Sequence, residues 1–428
     1  ILGIGAFLAS KDLSKAGKRS TFGSLFRFSL NKNNQMSLRV ITLLSLLSIT
    51  TFFACDDDDV PTPMIEVPTT YDFQRNNVST VDFSGQTTRL LMGEELVAGL
   101  LGFSATEQDL LAMFANPEGA APFANAELNG SNKSVRSKVA ASMDYFAANT
   151  VGSATIREAF DQWISAQVTE VFPASQQLAA PGIPGQIADG NSTRYVNAQG
   201  LEYDQMVNKG LIGALVVDQM LNNYLSTAVL DEANNREDND NGVTEEGEAY
   251  TSMEHKWDEA YGYLYGLSAN PAEPNLTIGA DDSFLNKYVG RMEGDPDFQG
   301  ISADLFAAFT TGRAAIVAGE YAIRDQQADI IREKISEIIG VRVVFYLQQA
   351  KFVLANTPVA YGFIYSLQFT RQPGTDAPYF SANEVDAFLA DLLDDGPNGL
   401  WDISAETLQT MSEEIAAAFK FTVAQAAE

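Results

Sequence analysis

From Tyr71 to the end of the chain, apolar residues return every three or four positions in ten segments: Leu90–Leu101, Glu107–Phe114, Val135–Phe146, Ile156–Val168, Tyr203–Leu225, Glu246–Leu267, Leu305–Tyr321, Ile330–Leu354, Glu384–Leu393 and Ala405–Phe421. That period places one apolar stripe along a helix, whereas a strand would need strict alternation. Short Val- and Ile-rich alternations are too few to build a sheet, so the expected class is all-α. Breakers such as Pro181-Gly182-Ile183-Pro184-Gly185, Pro271 with Pro274, and Pro373-Gly374 separate the segments. Ser104 ahead of Glu107 and Ser381 ahead of Glu384 have the spacing of capping boxes. The helices group into two clusters, about 71–267 and 281–428, which predicts two packed helical bundles side by side.

The chain has one cysteine, so no intrachain disulfide forms and stability must come from a packed core. Cys55 follows an apolar run, Val40–Phe53, that is too short to span a bilayer, and precedes Asp56–Asp59. With Arg39 before the run and Ala54 at its end, residues 36–54 have the parts of a secretory signal. Phe-Phe-Ala-Cys55 resembles a bacterial lipobox, which implies lipidation of Cys55 and attachment to a membrane through acyl chains. The acidic residues just after it resemble a signal for export to the outer face of the outer membrane, so the expected location is a lipid anchor there, facing the cell surface. Residues 55–70, with Pro61, Pro63 and Pro68, read as an extended acidic tether to a folded domain over 71–428. Residues 1–35 show no sustained periodicity and read as upstream sequence translated by mistake.

The formal net charge of −29 argues against nucleic acid, whose phosphates need a basic face for counterion release, and against binding an anionic membrane through a basic patch. Cations or a basic partner are the natural ligands of such a chain, although acidity also serves simply to keep an exposed protein in solution.

The densest candidate for chemistry is Thr251–Gly266, which contains His255, the only histidine. On a helix, His255, Glu259, Gly262 and Gly266 share one stripe with Asp258 on its flank, while Trp257, Ala260, Tyr261 and Leu264 lie opposite. Such a helix is expected to be buried all round, and the two glycines would admit a neighbouring helix. An imidazole and a carboxylate one turn apart can bind one metal ion or form a hydrogen-bonded pair. The metal set read from this pattern is His255, Asp258 and Glu259, with Glu254 and Glu320 as further ligands; Glu320 and Arg324 are also spaced for an i,i+4 ion pair. Imidazole with carboxylates suits iron or zinc better than magnesium.

Glu254–Asp258 resembles the Gly-x-His-x-x-Glu motif of imelysin-like proteins, an all-helical family of secreted or lipid-anchored bacterial proteins. Here Met253 replaces the leading glycine, and Asp258 or Glu259 supplies the acid. The stretches Val81–Leu90, Arg194–Tyr203, Met253–Gly266 and Tyr361–Thr370 resemble more closely an uncharacterised group of lipoproteins distantly related to imelysins. The resemblance implies a site in a cleft between two bundles and an iron- or haem-uptake role beside an outer-membrane transporter. Phe352–Phe369 departs from it, carrying no acidic residue and no histidine for the second bundle to offer.

Asp231–Glu248 is rich in Asp, Asn, Glu and Gly. Aligning Gly242 with an EF-hand glycine puts Glu237, Asn239, Asn241, Glu245 and Glu248 at calcium-ligand positions; a solvated acidic loop is the alternative. A single histidine excludes a His-Glu-x-x-His zinc site, and there is no Gly-x-Ser-x-Gly elbow and no glycine-rich phosphate loop. The functional expectation is a metal- or metal-ligand-binding lipoprotein. Two alternatives stand beside it: an imelysin-type peptidase or other hydrolase with His255 as general base, and a glycan- or protein-binding surface lipoprotein in which His255 is structural.

Overall fold

The computed structural model describes residues 65–428. The expectations for 1–35, the 36–54 signal, Cys55 and most of the tether lie outside the described residues.

Eleven helices of eight or more residues carry the described fold: α1 Ser84–Gly99, α2 Glu107–Ala115, α3 Thr150–Ala166, α4 Tyr203–Leu211, α5 Ser252–Tyr265, α6 Leu285–Glu293, α7 Ile301–Ala318, α8 Tyr321–Ala350, α9 Thr357–Ser366, α10 Ala382–Asp391 and α11 Ala405–Ala418. The protein is all-α, as the periodicity predicts. Two antiparallel ribbons are added, β1 Gln74–Arg75 with β2 Val78–Ser79 and β3 Gly185–Asp189 with β4 Ser192–Val196. Ser381 and Glu384 do form a capping box on α10. At α2 the cap is Thr106 with Asp109, two residues later than expected, because Thr106 has the extended backbone that lets its hydroxyl accept from the Asp109 N–H.

α4 runs on through two wide π turns, Ile212–Val217 and Met220–Tyr224, and is buried along almost its whole length. Its middle, Ile212–Val217, is wholly apolar, and the polar residues on either side, Asp204, Asn208, Lys209, Asp218 and Asn222, are buried with it, which makes the run central. α9 crosses it closely at Gly362, where a Cβ would overlap the Lys209 side chain. Ser366 clips the crossing, accepting from the Gly213 N–H at 3.1 Å and donating to the Lys209 carbonyl at 2.7 Å. α7 and α8 pair along their lengths, α8 covers α9 and α11, and α5 lies against α1 and α7. The helical groups 71–267 and 281–428 share a single apolar core that runs from Tyr71 to Ala426, and residues 65–428 fall in one compact unit.

One expected helix is largely missing. Within Val135–Phe146 only Met143–Phe146 is helical. Tertiary partners take the backbone groups a helix would use: Ala140 N–H donates to Ala214 O, and the N–H groups of Ala141 and Ser142 both reach Asp218, at 3.0 Å each. Two further helices form outside the ten segments: α6, whose Leu285, Tyr288, Val289 and Met292 fall at helical spacing and are buried, and α9, which is apolar nearly all round and is enclosed by its neighbours. Among the described residues no helix is long and apolar enough to cross a membrane.

Candidate functional site

α5 starts at a capping box, Thr251 with Glu254, and is pressed against α1 at Gly262, where a Cβ would overlap Phe83. The close approach expected from the glycines is therefore realised, and it brings Gln86 and Asp82 to the His255 stripe. Gln86 donates to Glu259 at 3.0 Å, and Lys256 holds the other Glu259 oxygen at 3.3 Å. The His255 ring lies parallel to Tyr250 at a centroid distance of 4.5 Å. Its Nδ1 is buried without a hydrogen-bond partner, 3.9 Å from Asp82.

The other three acids of the expected set face elsewhere. Asp258 is fully buried, receiving the Tyr71 hydroxyl at 2.6 Å and the Arg313 Nε at 3.0 Å. Glu254 is shared by its cap, by Arg75 at 2.9 Å and by Arg313 at 3.1 Å. Arg313 is fully buried and reaches on to Thr80, so one guanidinium ties the 71–80 segment to α5 and α7. Glu320 stands at the α7–α8 corner, and the expected Glu320–Arg324 pair does not form. Arg324 is buried and turns to Asp231 at 2.7 Å and to Asp325, because those carboxylates sit where its side chain is enclosed. The sequence carried a sign of the Arg313 hub: Arg313 and Asp304 are the only charges in α7.

In the acidic loop, residues Asn235–Asp240 form a helical turn. Asn239 points inward, donating to Ile316 O at 2.7 Å and accepting from the Thr251 hydroxyl at 2.7 Å, and the Asn241 amide bonds the Glu237 carbonyl. Glu245 and Glu248 lie beyond Gly242, in the turn that leads to Tyr250. Among the described residues no three His, Cys, Asp or Glu side chains converge in a way that could hold a metal ion.

A different site emerges along α3. Gly152, Thr155, Ile156, Ala159 and Trp163 fall on one face of this helix, and the small residues among them make a trough. The opposite wall comes from Tyr361 and Tyr365, one turn apart on α9, with Asp386 and Leu389 of α10 at the edge. Trp163 meets both tyrosines edge-on, at centroid distances of 6.4 and 5.0 Å. The resulting groove has a volume of about 640 Å³ and includes Tyr145, Phe146, Asn149 and Gln368. A second hollow of about 570 Å³ shares Trp163 and Tyr361 and continues past Glu170 and Tyr203. No lysine or arginine lines either hollow. Asp144 and Asp376 are held by Arg371, and Asp161 by Arg136, whereas exposed Asp386 has no ion pair among the described residues. Sequence periodicity locates α3 and its tryptophan, but only the tertiary fold sets Tyr361 and Tyr365 across from it.

The model of the family described as domain of unknown function (DUF4856) matches residues 68–422. Searches of curated proteins and of solved structures return no match to the chain.

Proposed function

The chain belongs to the DUF4856 family, and from that premise we propose that it is a lipid-anchored binding protein whose α3–α9 groove takes a glycan chain, without chemical turnover. The observation that carries this reading is the lining itself. Aromatic faces and edges stack on the apolar faces of sugar rings, and the planar amides and carboxylate of Asn149, Gln368 and Asp386 suit hydroxyl groups. A groove without cations disfavours acidic ligands. Two adjacent hollows, both lined by Trp163 and Tyr361, fit an extended occupant better than a single small molecule. The tether expected over residues 55–70 would hold such a domain at the cell surface.

Affinity electrophoresis of the purified protein through gels containing neutral polysaccharides tests the reading. At least one polysaccharide should retard the protein, and Trp163→Ala and Asp386→Ala should each weaken that retardation, Trp163→Ala by about tenfold, the scale of a lost aromatic contact. Asp386 is exposed, so its variant separates binding from folding. Retardation unchanged in both variants, or absent with every polysaccharide, would remove the groove as a glycan site.

A second reading keeps the metal expectation at His255. It is favoured by the unpartnered Nδ1 beside Asp82 and by the carboxylates of Asp82, Glu245, Glu248 and Glu259, which all act on the neighbouring Tyr250. The imelysin-like resemblance at His255, with Glu259 as the acid of that motif, supports an iron, zinc or haem ligand there, delivered to an outer-membrane transporter, with calcium in the acidic loop as a further ligand. On this reading, metal analysis of the purified protein finds one equivalent that His255→Ala and Asp82→Ala both lose. Equal metal content in wild type and His255→Ala would exclude it.

A further inference from the structure

In an otherwise acidic protein, five basic side chains gather where α4, α6 and α8 meet: Arg194, Lys209, Lys287, Arg291 and Arg342. Lys209 and Arg342 are both buried and both lie over the ring of Tyr288, at 5.2 and 5.6 Å from its centroid. Lys287 and Arg291 stand one turn apart on α6, half-buried and exposed, where their charges act on Lys209, Tyr288 and Arg342. Arg194 is paired with Glu202 and Asp189. The other four have no carboxylate within ion-pair distance among the described residues.

Burying cations beside one another without counter-charge is costly, and a folded chain rarely does it without compensation. Aromatic faces offset part of the cost at Arg342, whose guanidinium sits 3.9 Å over Phe345 and 4.9 Å over Tyr346. They offset none of its hydrogen-bonding need in the ring plane. Among the described residues its Nε and Nη2 are buried and meet no acceptor at hydrogen-bond distance, although the Tyr346 hydroxyl acts on the guanidinium. Those two N–H groups form one edge of the guanidinium fork, the edge that grips two oxygens of a carboxylate or phosphate in parallel. Lys209 spends its ammonium on a single neutral acceptor, Asn208 Oδ1, at 2.9 Å. The acids nearby are engaged elsewhere, Glu202 by Arg194 at 2.5 Å and Asp204 by Gln205 at 2.8 Å.

We infer that this cluster is an oxyanion-binding site, in which the Nε–Nη2 edge of Arg342 takes a phosphate or carboxylate group, Lys209 supplies a second charge from within, and Lys287 and Arg291 draw the anion in from the surface. The site shares no residue with the α3–α9 groove, and it stands whether or not that groove binds a glycan. Its ligand is a small oxyanion or the charged end of a larger molecule.

Calorimetric titration of the full-length protein at fixed ionic strength, with inorganic phosphate, with acetate and with chloride as the control, tests the inference. Phosphate or acetate should bind saturably where chloride gives no saturable signal; a stronger response to phosphate assigns a phosphate ligand and a stronger response to acetate a carboxylate. Lys287→Gln with Arg291→Gln, at the accessible mouth, should leave the fold intact and weaken that binding by about tenfold. Arg342→Gln should abolish it and, having removed an unpaired buried charge, unfold no earlier than wild type in anion-free buffer. Identical behaviour of phosphate, acetate and chloride overturns the proposal, as does undiminished phosphate and acetate binding in the Lys287/Arg291 double variant.

Discussion

Arg313→Met should destabilise the protein by about 3–5 kcal/mol, the range for removing one member of a buried ion pair. The size of the effect comes from what is left behind. Asp258 is fully buried, with Tyr71 as its only other partner and one carboxylate oxygen already without a hydrogen bond. Glu254 fares better, since Arg75 and the Thr251 N–H continue to hold it. The 71–80 segment should loosen first, because Arg313 donates to Thr80 and lies 4.8 Å over the ring of Phe73. Tyr71 would keep its stack on Tyr261, at 3.6 Å, which limits the loss. Urea denaturation measures the change directly. Adding Asp258→Leu to Arg313→Met should recover part of it, since a buried pair replaced by apolar groups no longer strands a charge. An Arg313→Met protein within about 1 kcal/mol of wild type would mean the hub is energetically idle.

The protein should be more stable near pH 5 than at pH 8, by about 1.4 kcal/mol from Asp218 alone. Asp218 is fully buried and makes no ion pair among the described residues, and burial pushes its carboxyl up to about 6 against the hydrogen bonds from Ala141 and Ser142. Asp204, also buried and also without an ion pair, is raised in the same direction by desolvation. In the unfolded chain both ionise near the ordinary aspartate value of about 4. Between that value and the native one the folded state holds protons that the unfolded state has released, so raising the pH favours unfolding until the native carboxyl has ionised as well. The stability these groups contribute is thus fully present below about pH 4 and is lost as pH passes their native values. Glu254 and Asp231 set the acid side, because their arginine partners hold them below the usual carboxylate range and their contribution disappears on acidification. Denaturation curves at pH 5 and 8, at matched ionic strength, check the sign. Asp218→Asn should flatten the dependence; equal or greater stability at pH 8 in the wild type would contradict it.

How far the sequence carried the reading depends on which force decided each element. The helices α3, α5, α7, α8 and α11 are legible because an apolar stripe, once present, has to be buried. So was the close contact at Gly262, since paired glycines on a buried helix leave room only for a neighbour. The loop before Met143 was not legible, because Asp218 and Ala214 offer its N–H groups partners from more than seventy residues away. His255, Glu259 and Gly262 share the face of α5 that meets α1, but the acids expected with them divide. Asp258 and Glu254 turn to an arginine that no local pattern brings near them, and Asp82 and Tyr250 take their place beside the imidazole.

The sequence alone determined that this chain is helical and which faces of its long helices are apolar, because periodicity and burial are properties of each segment taken by itself. Tertiary structure decided which charges pair and which aromatic rings share a groove. An ion pair or a stacked ring depends on distances of a few ångströms between segments far apart in the chain, and those distances are fixed only when the whole core closes.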